Sequence, residues 1–597
     1  MDDMAHFFAV VATHPQAHFA QQHVLNVVHQ HLHQVQQTDV STRLLVPKEK
    51  LSACTVLDAD IPTSDFVTHF SESGMACFAR LSGLYQGITF DVVQQQWIVF
   101  NAPFHPTPLY VCQYLNCLIV TQRLDLIALF IKPKASHRAL AQWLSGRPDP
   151  NASMFDNIHL LPFAHFGHYS ALPSKAYQRF APNSTGDTTH PLVVHRFWDI
   201  DPEHSIRHAH TDDYAAHWRG ILQHRINHDL HLAKHQVASQ MSGGMDSTSI
   251  AALANQELDQ QHLIALSHTY NNTSSCDESD LIAVMVEHLQ LQHHHQIELD
   301  QFADLDFAQL YPTQLASPGI VHSPKYAQEL ALLASLNVDV LLTGNGGDEM
   351  AWGHSLVYAD RAMSGDFTVI KEVITTAKQH HLPVVKSLLK VLIKPNLPDA
   401  LLSLLGKAPA QQTQHPSWLG SQAFAQLAPL ELHNPFPHQL GRQGLASRYE
   451  GVMQTATFNS MRSYESLSRQ HGISVRHPFF DPQLAEFSFA IPQKLHLQHT
   501  YPKYLLRKAM HPLLPEAVCW NPHKVIFDQH FANIVRANKI SLQQLLSHPG
   551  LHDLGLVDNS KVLAAFASVV DDPNGSLNVN LLYTILTQSW YQTHIAV

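Results

Sequence analysis

Charge is scarce in this chain. Asp, Glu, Lys and Arg together make up 14% of its 597 residues, while apolar types make up 45%. That balance excludes extended disorder and supplies apolar material for more than one buried core. Basic charge is the scarcer sign, 37 Lys and Arg against 49 Asp and Glu, leaving a net charge of −12. A broad phosphate-tracking surface is thereby excluded, and no nucleic acid partner is expected. Cysteine is sparse as well: Cys54, Cys77, Cys112, Cys117, Cys276 and Cys519 never form a CxxC pair. This argues against a disulfide framework and a thiolate zinc site and suits a reducing compartment. Histidine is plentiful, but HExxH is absent and His224 and His228 bracket no acid, so stretches such as His293-His294-His295 read as compositional bias.

Long apolar runs are missing too. The longest candidate, Leu109 to Ile131, is broken by Gln113, Asn116, Gln122, Arg123 and Asp125, which a bilayer-spanning helix does not tolerate cheaply. It reads as strands with a turn. Met1-Asp2-Asp3-Met4 carries acid where a signal peptide carries Lys or Arg. The expectation is a cytoplasmic protein with no transmembrane segment.

What is present divides into two patterns. Residues 1 to about 170 hold short alternating or β-branched runs such as Gln96–Phe100 and Cys117–Thr121, separated by turn formers. Leu172 to Thr189 collects Pro, Ser, Asn, Gly and Lys without periodicity, as a linker does. Beyond residue 210, helical stretches alternate with apolar strands at Gln236–Met241, Leu263–Thr269, His295–Leu299 and Val338–Leu342. Strands interleaved with helices imply a parallel sheet covered on both faces, whose ligands bind beyond the carboxyl ends of the strands. The expected class is α/β, with an N-terminal α+β sandwich over 1–185 and a doubly wound parallel sheet in 190–597.

The strongest motif lies at such a strand end. Met241 leads into Ser242-Gly243-Gly244-Met245-Asp246-Ser247, directly before a helical run, Thr248–Leu258. Ser242, Gly243, Gly244 and Ser247 supply hydroxyls, close backbone approach and a helix N-terminus, which together make a pyrophosphate cradle. Asp246 is the wrong charge for an anion unless a Mg²⁺ bridges carboxylate and phosphate. GxxxxGK[ST] is absent, so this is not a P-loop of that kind. A second strand, Val338–Leu342, runs into Thr343-Gly344-Asn345-Gly346-Gly347-Asp348-Glu349.

Ser242–Ser247 resembles the pyrophosphate loop of the asparagine-synthetase family, whose members cleave ATP between the α- and β-phosphates. Thr343–Glu349 resembles that family's second glycine loop. The resemblance implies an ATP-pyrophosphatase fold (adenine nucleotide α-hydrolase-like), with ATP contacts from Met241, Ser242, Gly243, Gly244, Asp246 and Ser247 and from Gly344 and Gly346. Asp246 and Asp348 would share one Mg²⁺. Arg476-His477-Pro478-Phe479-Phe480-Asp481 is similar to the family's R-x-P-F-x-D segment. Lys503-Tyr504-Leu505-Leu506-Arg507 and Asn521-Pro522-His523-Lys524 match its terminal basic elements. By that match Lys524 would steady charge on the adenylate and on the intermediate of amine attack. Lys503 and Arg507 join it as catalytic candidates, although an i, i+4 basic pair is also the spacing of a solvated helix face.

Phe78–Tyr85, Pro108-Leu109-Tyr110 and Ile158–Pro162 look like the amidohydrolase-type sandwich, a class II glutamine amidotransferase-like domain, that precedes the ligase domain in this family. Glutamine-using members carry a cysteine nucleophile immediately after the initiator Met, where this chain has Asp2. A carboxylate cannot replace a thiolate in amide hydrolysis, so that domain is expected to be degenerate. Asn345 stands where asparagine synthetases carry Glu and β-lactam synthetases carry Tyr, and an amide is a poor base. The length, with an insertion between about 361 and 440 that includes Pro416-Ser417-Trp418-Leu419, is most similar to the macrolactam synthetases that close lasso peptides. Such a ligase would adenylate an Asp or Glu side chain of a leader-free precursor peptide and capture it with the peptide's own N-terminal amine. A leader peptidase would be its partner. The alternatives are a β-lactam-type or ammonia-dependent asparagine-forming ligase, and a non-catalytic binding protein. Within the insertion, Lys386, Lys390 and Lys394 recur every fourth residue beside Leu388, Leu389, Leu392 and Ile393, the pattern of a basic amphipathic helix.

Overall fold

The computed structural model describes residues 6–596 except 13–17, 36–39, 46–54, 116, 171–191, 259–262, 302–305, 320–322, 354–355, 380, 398–414, 428–432, 437–441, 454–456, 499–500, 522–524, 526 and 573–576. The expected linker at 172–189 lies outside these residues.

The N-terminal strands are β1 His6–Ala12, β2 Val40–Leu45, β3 Val56–Ala59, β4 Tyr85–Asp91, β5 Gln96–Asn101, β6 Tyr110–Tyr114, β7 Cys117–Thr121, β8 His159–Leu160, β9 His165–Ser170 and β10 Val193–Arg196. They form two five-stranded sheets, ordered β2-β1-β7-β6-β8 and β10-β9-β5-β4-β3. Because side chains alternate across a strand, Phe7, Ala9 and Val11 enter the core between the sheets while Phe8 and Val10 pack outward under helices. Phe66, Phe70, Phe78 and Phe100 build the corresponding layer outside the second sheet. Burial on both faces explains why these strands are so uniformly apolar, and the sandwich is the one expected. Leu109–Ile131 folds as β6, a turn and β7, but ends in a short helix, Leu124–Ile127, rather than in strand.

The second unit is built on β11 Gln236–Gln240, β12 Leu263–Thr269, β13 His293–Glu298, β14 Val338–Leu342 and β15 Ser474–Arg476, ordered β13-β12-β11-β14-β15 and parallel throughout. The chain steps outward from β11 through β12 to β13, then crosses back to lay β14 on the other side of β11. The reversal falls between β11 and β14, and a sheet of this kind opens its ligand crevice at such a switch point. The loops leaving β11 and β14 are Ser242–Ser247 and Thr343–Glu349, so topology alone sets the two glycine motifs side by side.

Two buried ion pairs bind the units together. Arg469 donates to Asp58 at 3.1 Å and to Glu465 at 2.8 Å, and Arg476 donates to Asp60 at 2.8 Å. Burial alone would raise the Asp58 carboxyl, but Arg469 holds it down to about 2. Asp60, His228 and Asp229 bring three ligand-type atoms within 4.8 Å of one another. Arg476 and Arg225 already supply the countercharge there, so the cluster reads as an ion-pair network.

Trp418 and Leu419, 4% and 5% exposed, join the core shared by the N-terminal helices and the C-terminal helix Val579–His594, with the Trp418 indole donating to Thr584. They fill a core and are not available as contact surface. The basic stretch coils as a short α-helix, Val384–Leu388, then a π-turn over Leu389–Ile393 and a 3-10 turn over Lys394–Asn396. Val385, Leu389 and Ile393 are exposed beside Lys386 and Lys390. Among the described residues no helix is long and apolar enough to cross a membrane.

Candidate active site

The first loop is braced by its own serines. The backbone N–H of Ser242 donates to Ser247 Oγ at 3.0 Å, the two hydroxyls share a hydrogen bond at 2.8 Å, and Gly244 N–H donates to Ser242 Oγ at 3.0 Å. Thr248 Oγ1 donates back to the Ser242 carbonyl at 2.6 Å. Helix Met245–Glu257 therefore begins three residues earlier than the apolar pattern suggested, with Gly244 as its N-cap and Asp246 in its first turn. Met241 is buried at the strand end, its carbonyl accepting from Ser267.

The second loop lies hard against the first. A Cβ on Gly344 would stand 2.4 Å from the Ser247 amide nitrogen, and one on Gly347 would stand 2.3 Å from Asp246 Cγ. Only glycine permits that approach. Gly346 adopts φ +95°, the left-handed turn that starts helix Gly347–Ala351, against Phe479 Cβ and the ring of Phe480. His477 underpins the loop, its Nδ1 2.6 Å from Thr343 Oγ1 and 3.4 Å from Asn345 Nδ2, and burial drives its imidazole down to about 3.

The two acids meet at one cation. Lys503 Nζ lies 2.5 and 2.6 Å from the Asp246 oxygens and 2.6 Å from Asp348 Oδ1. Burial works against its ammonium, yet Asp246 and Asp348 prevail and its pKa is raised. Lys503 is the helix N-cap at φ 57°, ψ 34°. A non-glycine residue held there costs roughly 1 kcal/mol or more, which the paired carboxylates offset. The ammonium also stands 5.6 Å from the Trp352 ring centroid.

Of the residues expected from sequence, Ser242, Gly243, Gly244, Asp246, Ser247, Gly344, Gly346, Asp348 and Lys503 come together. Lys503 and Arg507 are each 6% exposed, so the solvated-face reading of their spacing does not hold. Arg507 donates to the backbone carbonyls of Pro502 and Cys519, at 2.9 and 2.6 Å, and thereby fixes the turn that carries Lys503. Lys524 lies outside the described residues. Three neighbours were missed: Gly347, the third glycine of its run; Trp352, five residues further on; and Glu278, which accepts a hydrogen bond from the Gly243 backbone and which burial raises to about 7. Glu278 follows β12, whose carboxyl end faces the same crevice, and that position was the available signal.

The family model for asparagine synthase matches residues 217–592. Two relatives named "Putative asparagine synthetase" (glutamine-hydrolyzing), from Mycobacterium bovis and Mycobacterium tuberculosis, are each 23% identical over 495 residues, covering 78% of this chain and 70% of theirs. The chain belongs to the asparagine synthase family, ATP-dependent ligases that form carbon–nitrogen bonds with release of AMP.

Proposed function

Starting from that membership, we propose that the protein activates a peptide Asp or Glu side-chain carboxylate with ATP and closes it onto the same peptide's N-terminal amine, making a macrolactam. The observation that carries the ATP half is the convergence of Asp246 and Asp348 on one buried charge. Two carboxylates at single-ion spacing, beside a loop cleared of side-chain volume by Gly344 and Gly347, fit a magnesium ion carrying pyrophosphate. Such an ion would neutralise the charge that builds on the leaving group. Ser242, Ser247 and the first turn of helix Met245–Glu257 would hold the phosphates. Lys503 would keep the acids at ion-binding spacing, and Lys524 would steady the acyl oxygen during amine attack.

The amine half rests on the thiols and on Asn345. Burial raises Cys77 and Cys112 to about 12 and Cys519 to about 11, and raises Cys117 and Cys276 as well. Among the described residues no cysteine is an activated nucleophile, which disfavours glutamine as the ammonia source. A substrate that brings its own amine needs neither that thiol nor a Glu at position 345, since proximity within one bound molecule supplies much of the rate. The reading implies a cytoplasmic enzyme served by a leader peptidase.

The test is pyrophosphate release from ATP with three substrate sets: leader-free peptides bearing an internal Asp or Glu, aspartate with ammonia, and aspartate with glutamine. Release with a peptide, accompanied by a product lighter by one water, is expected. Release with aspartate and with no peptide would replace macrolactam closure by asparagine formation.

A further inference from the structure

Helix Thr457–Arg469 turns polar side chains inward where it meets the N-terminal unit. Asn459, Arg462 and Ser463 recur at helical spacing on one face, and that face lines a cavity of about 250 Å³ shared with Gln142 and Trp143 of helix His137–Leu144. Asp246, Asp348 and Lys503 do not line it. A polar helix face normally meets solvent; here it lines a recessed, partly open cavity far larger than one water needs.

The cavity wall is chemically unfinished. Arg462 spends Nη1 on the Pro150 carbonyl, while its Nε and Nη2 are buried and make no hydrogen bond. Among the described residues no carboxylate stands within ion-pair distance of it; desolvation lowers the guanidinium to about 10, although Asp149, which also lines the cavity, supports its charge from further off. Ser463 Oγ and Asn459 Nδ2 are likewise buried and unpartnered. Two acceptors in the wall also lack donors: Gln142 Oε1, across the cavity on helix His137–Leu144, and Glu465 Oε2, one turn beyond Arg462 on its own helix and already accepting from Arg469 through Oε1, both on residues only 4% exposed. Groups left so are costly, a buried cation most of all. The Nε–Nη2 edge is the one that grips a carboxylate with two parallel hydrogen bonds. Unfilled donors at Arg462, Ser463 and Asn459, with unfilled acceptors at Gln142 and Glu465 in the same wall, suit a ligand with an anionic and an N–H end.

We propose that this cavity binds a small amino carboxylate, a free α-amino acid in size and charge, with its carboxylate on Arg462 and its amino group toward Gln142 and Glu465. The site is separate from the ATP crevice, so it stands whether or not the macrolactam reading does.

The experiment uses the full chain without nucleotide. The twenty free L-amino acids are titrated to about 10 mM by calorimetry, with Trp143 fluorescence and thermal shift as parallel readouts. At least one is expected to bind saturably. Its α-carboxamide, which lacks the charge, is expected to bind at least about tenfold more weakly, and Arg462→Lys, which keeps charge but loses the fork, to weaken binding by a similar factor. Ser463→Ala should weaken it less, and Asp246→Asn should leave it unchanged. If Arg462→Lys does not fold, the carboxamide comparison and Ser463→Ala decide the matter. The proposal is overturned if no amino acid binds, if acid and amide bind alike, if Asp246→Asn abolishes binding, or if a crystal grown with the best ligand holds only water in the cavity.

Discussion

Gly344→Ala probes the contact between the two loops with a single methyl group. The added Cβ would sit 2.4 Å from the Ser247 amide nitrogen, where ordinary van der Waals contact begins at 3.4 Å, so the loops must part by about 3.4 − 2.4 = 1.0 Å. The obstacle is backbone, Ser247 N and Cα with the Asp246 carbonyl carbon behind them, and no rotamer change relieves it. A misplacement of about 1 Å costs roughly 100-fold where groups must converge on one ligand, and the forced repacking costs about 1 to 3 kcal/mol of stability. Calorimetric titration with Mg·ATP should show affinity lower by about 100-fold while circular dichroism remains native. Gly220→Ala is the matched control: it lies on the exposed side of helix Thr211–His231 with nothing within 4 Å, so it should leave nucleotide binding alone and gain up to about 1 kcal/mol. Wild-type affinity in Gly344→Ala would refute the claim that the loops act jointly.

Three further outcomes follow from the same geometry. Lys503→Met leaves Asp246 and Asp348 facing each other without their cation; because the two carboxylates are partly exposed, the cost lies between the exposed and buried limits, roughly 1 to 3 kcal/mol, and millimolar Mg²⁺ alone should restore much of the lost thermal stability, a rescue the wild type should not show. A Lys503→Met melting curve indifferent to Mg²⁺ would contradict this. At the interface between the units, Asp58 falls from 3.8 to about 2 through Arg469; a depressed carboxyl stabilises above its unfolded pKa and loses that effect as pH falls through its folded one. Urea titrations should therefore show the wild-type advantage over Asp58→Asn shrinking by about 2 kcal/mol between pH 4 and 2; a constant difference would deny the ion pair its role. Glu278, raised to about 7 beside Gly243, carries more negative charge as pH rises from 6 to 8, so Mg·ATP affinity should weaken over that interval. In Glu278→Gln the decline should vanish, and an unchanged profile would remove Glu278 from the site.

Much of the ligase unit could be read before its structure because strand and loop signals coincide there. Val338–Leu342 matches β14 residue for residue, and Leu263–Thr269 matches β12. The glycine loops lie where a parallel sheet reverses direction, so their adjacency follows from strand order as well as from resemblance. Lys503 was harder to place. Its spacing to Arg507 suits a solvated helix, but the residue is the N-cap in a left-handed conformation, pointed inward by a strain that local pattern does not encode. Trp418 and Leu419 were legible as apolar but not as buried, since their partner Thr584 is 166 positions away. The Arg462 face escaped for a related reason: at helical spacing, polar residues read as solvent-facing until the opposite unit closes over them.

One divalent ion shared between the two loops is what the proposed activation by ATP requires above all. The direct measurement is a crystal structure with Mn²⁺ and a non-hydrolysable ATP analogue, in which anomalous scattering locates the metal. One ion ligated by both Asp246 and Asp348 and by the analogue's terminal phosphates, with Lys503 displaced from at least one carboxylate, is the predicted result. Metal held by only one of these acids, or nucleotide bound away from Gly344 and Gly347, would contradict it.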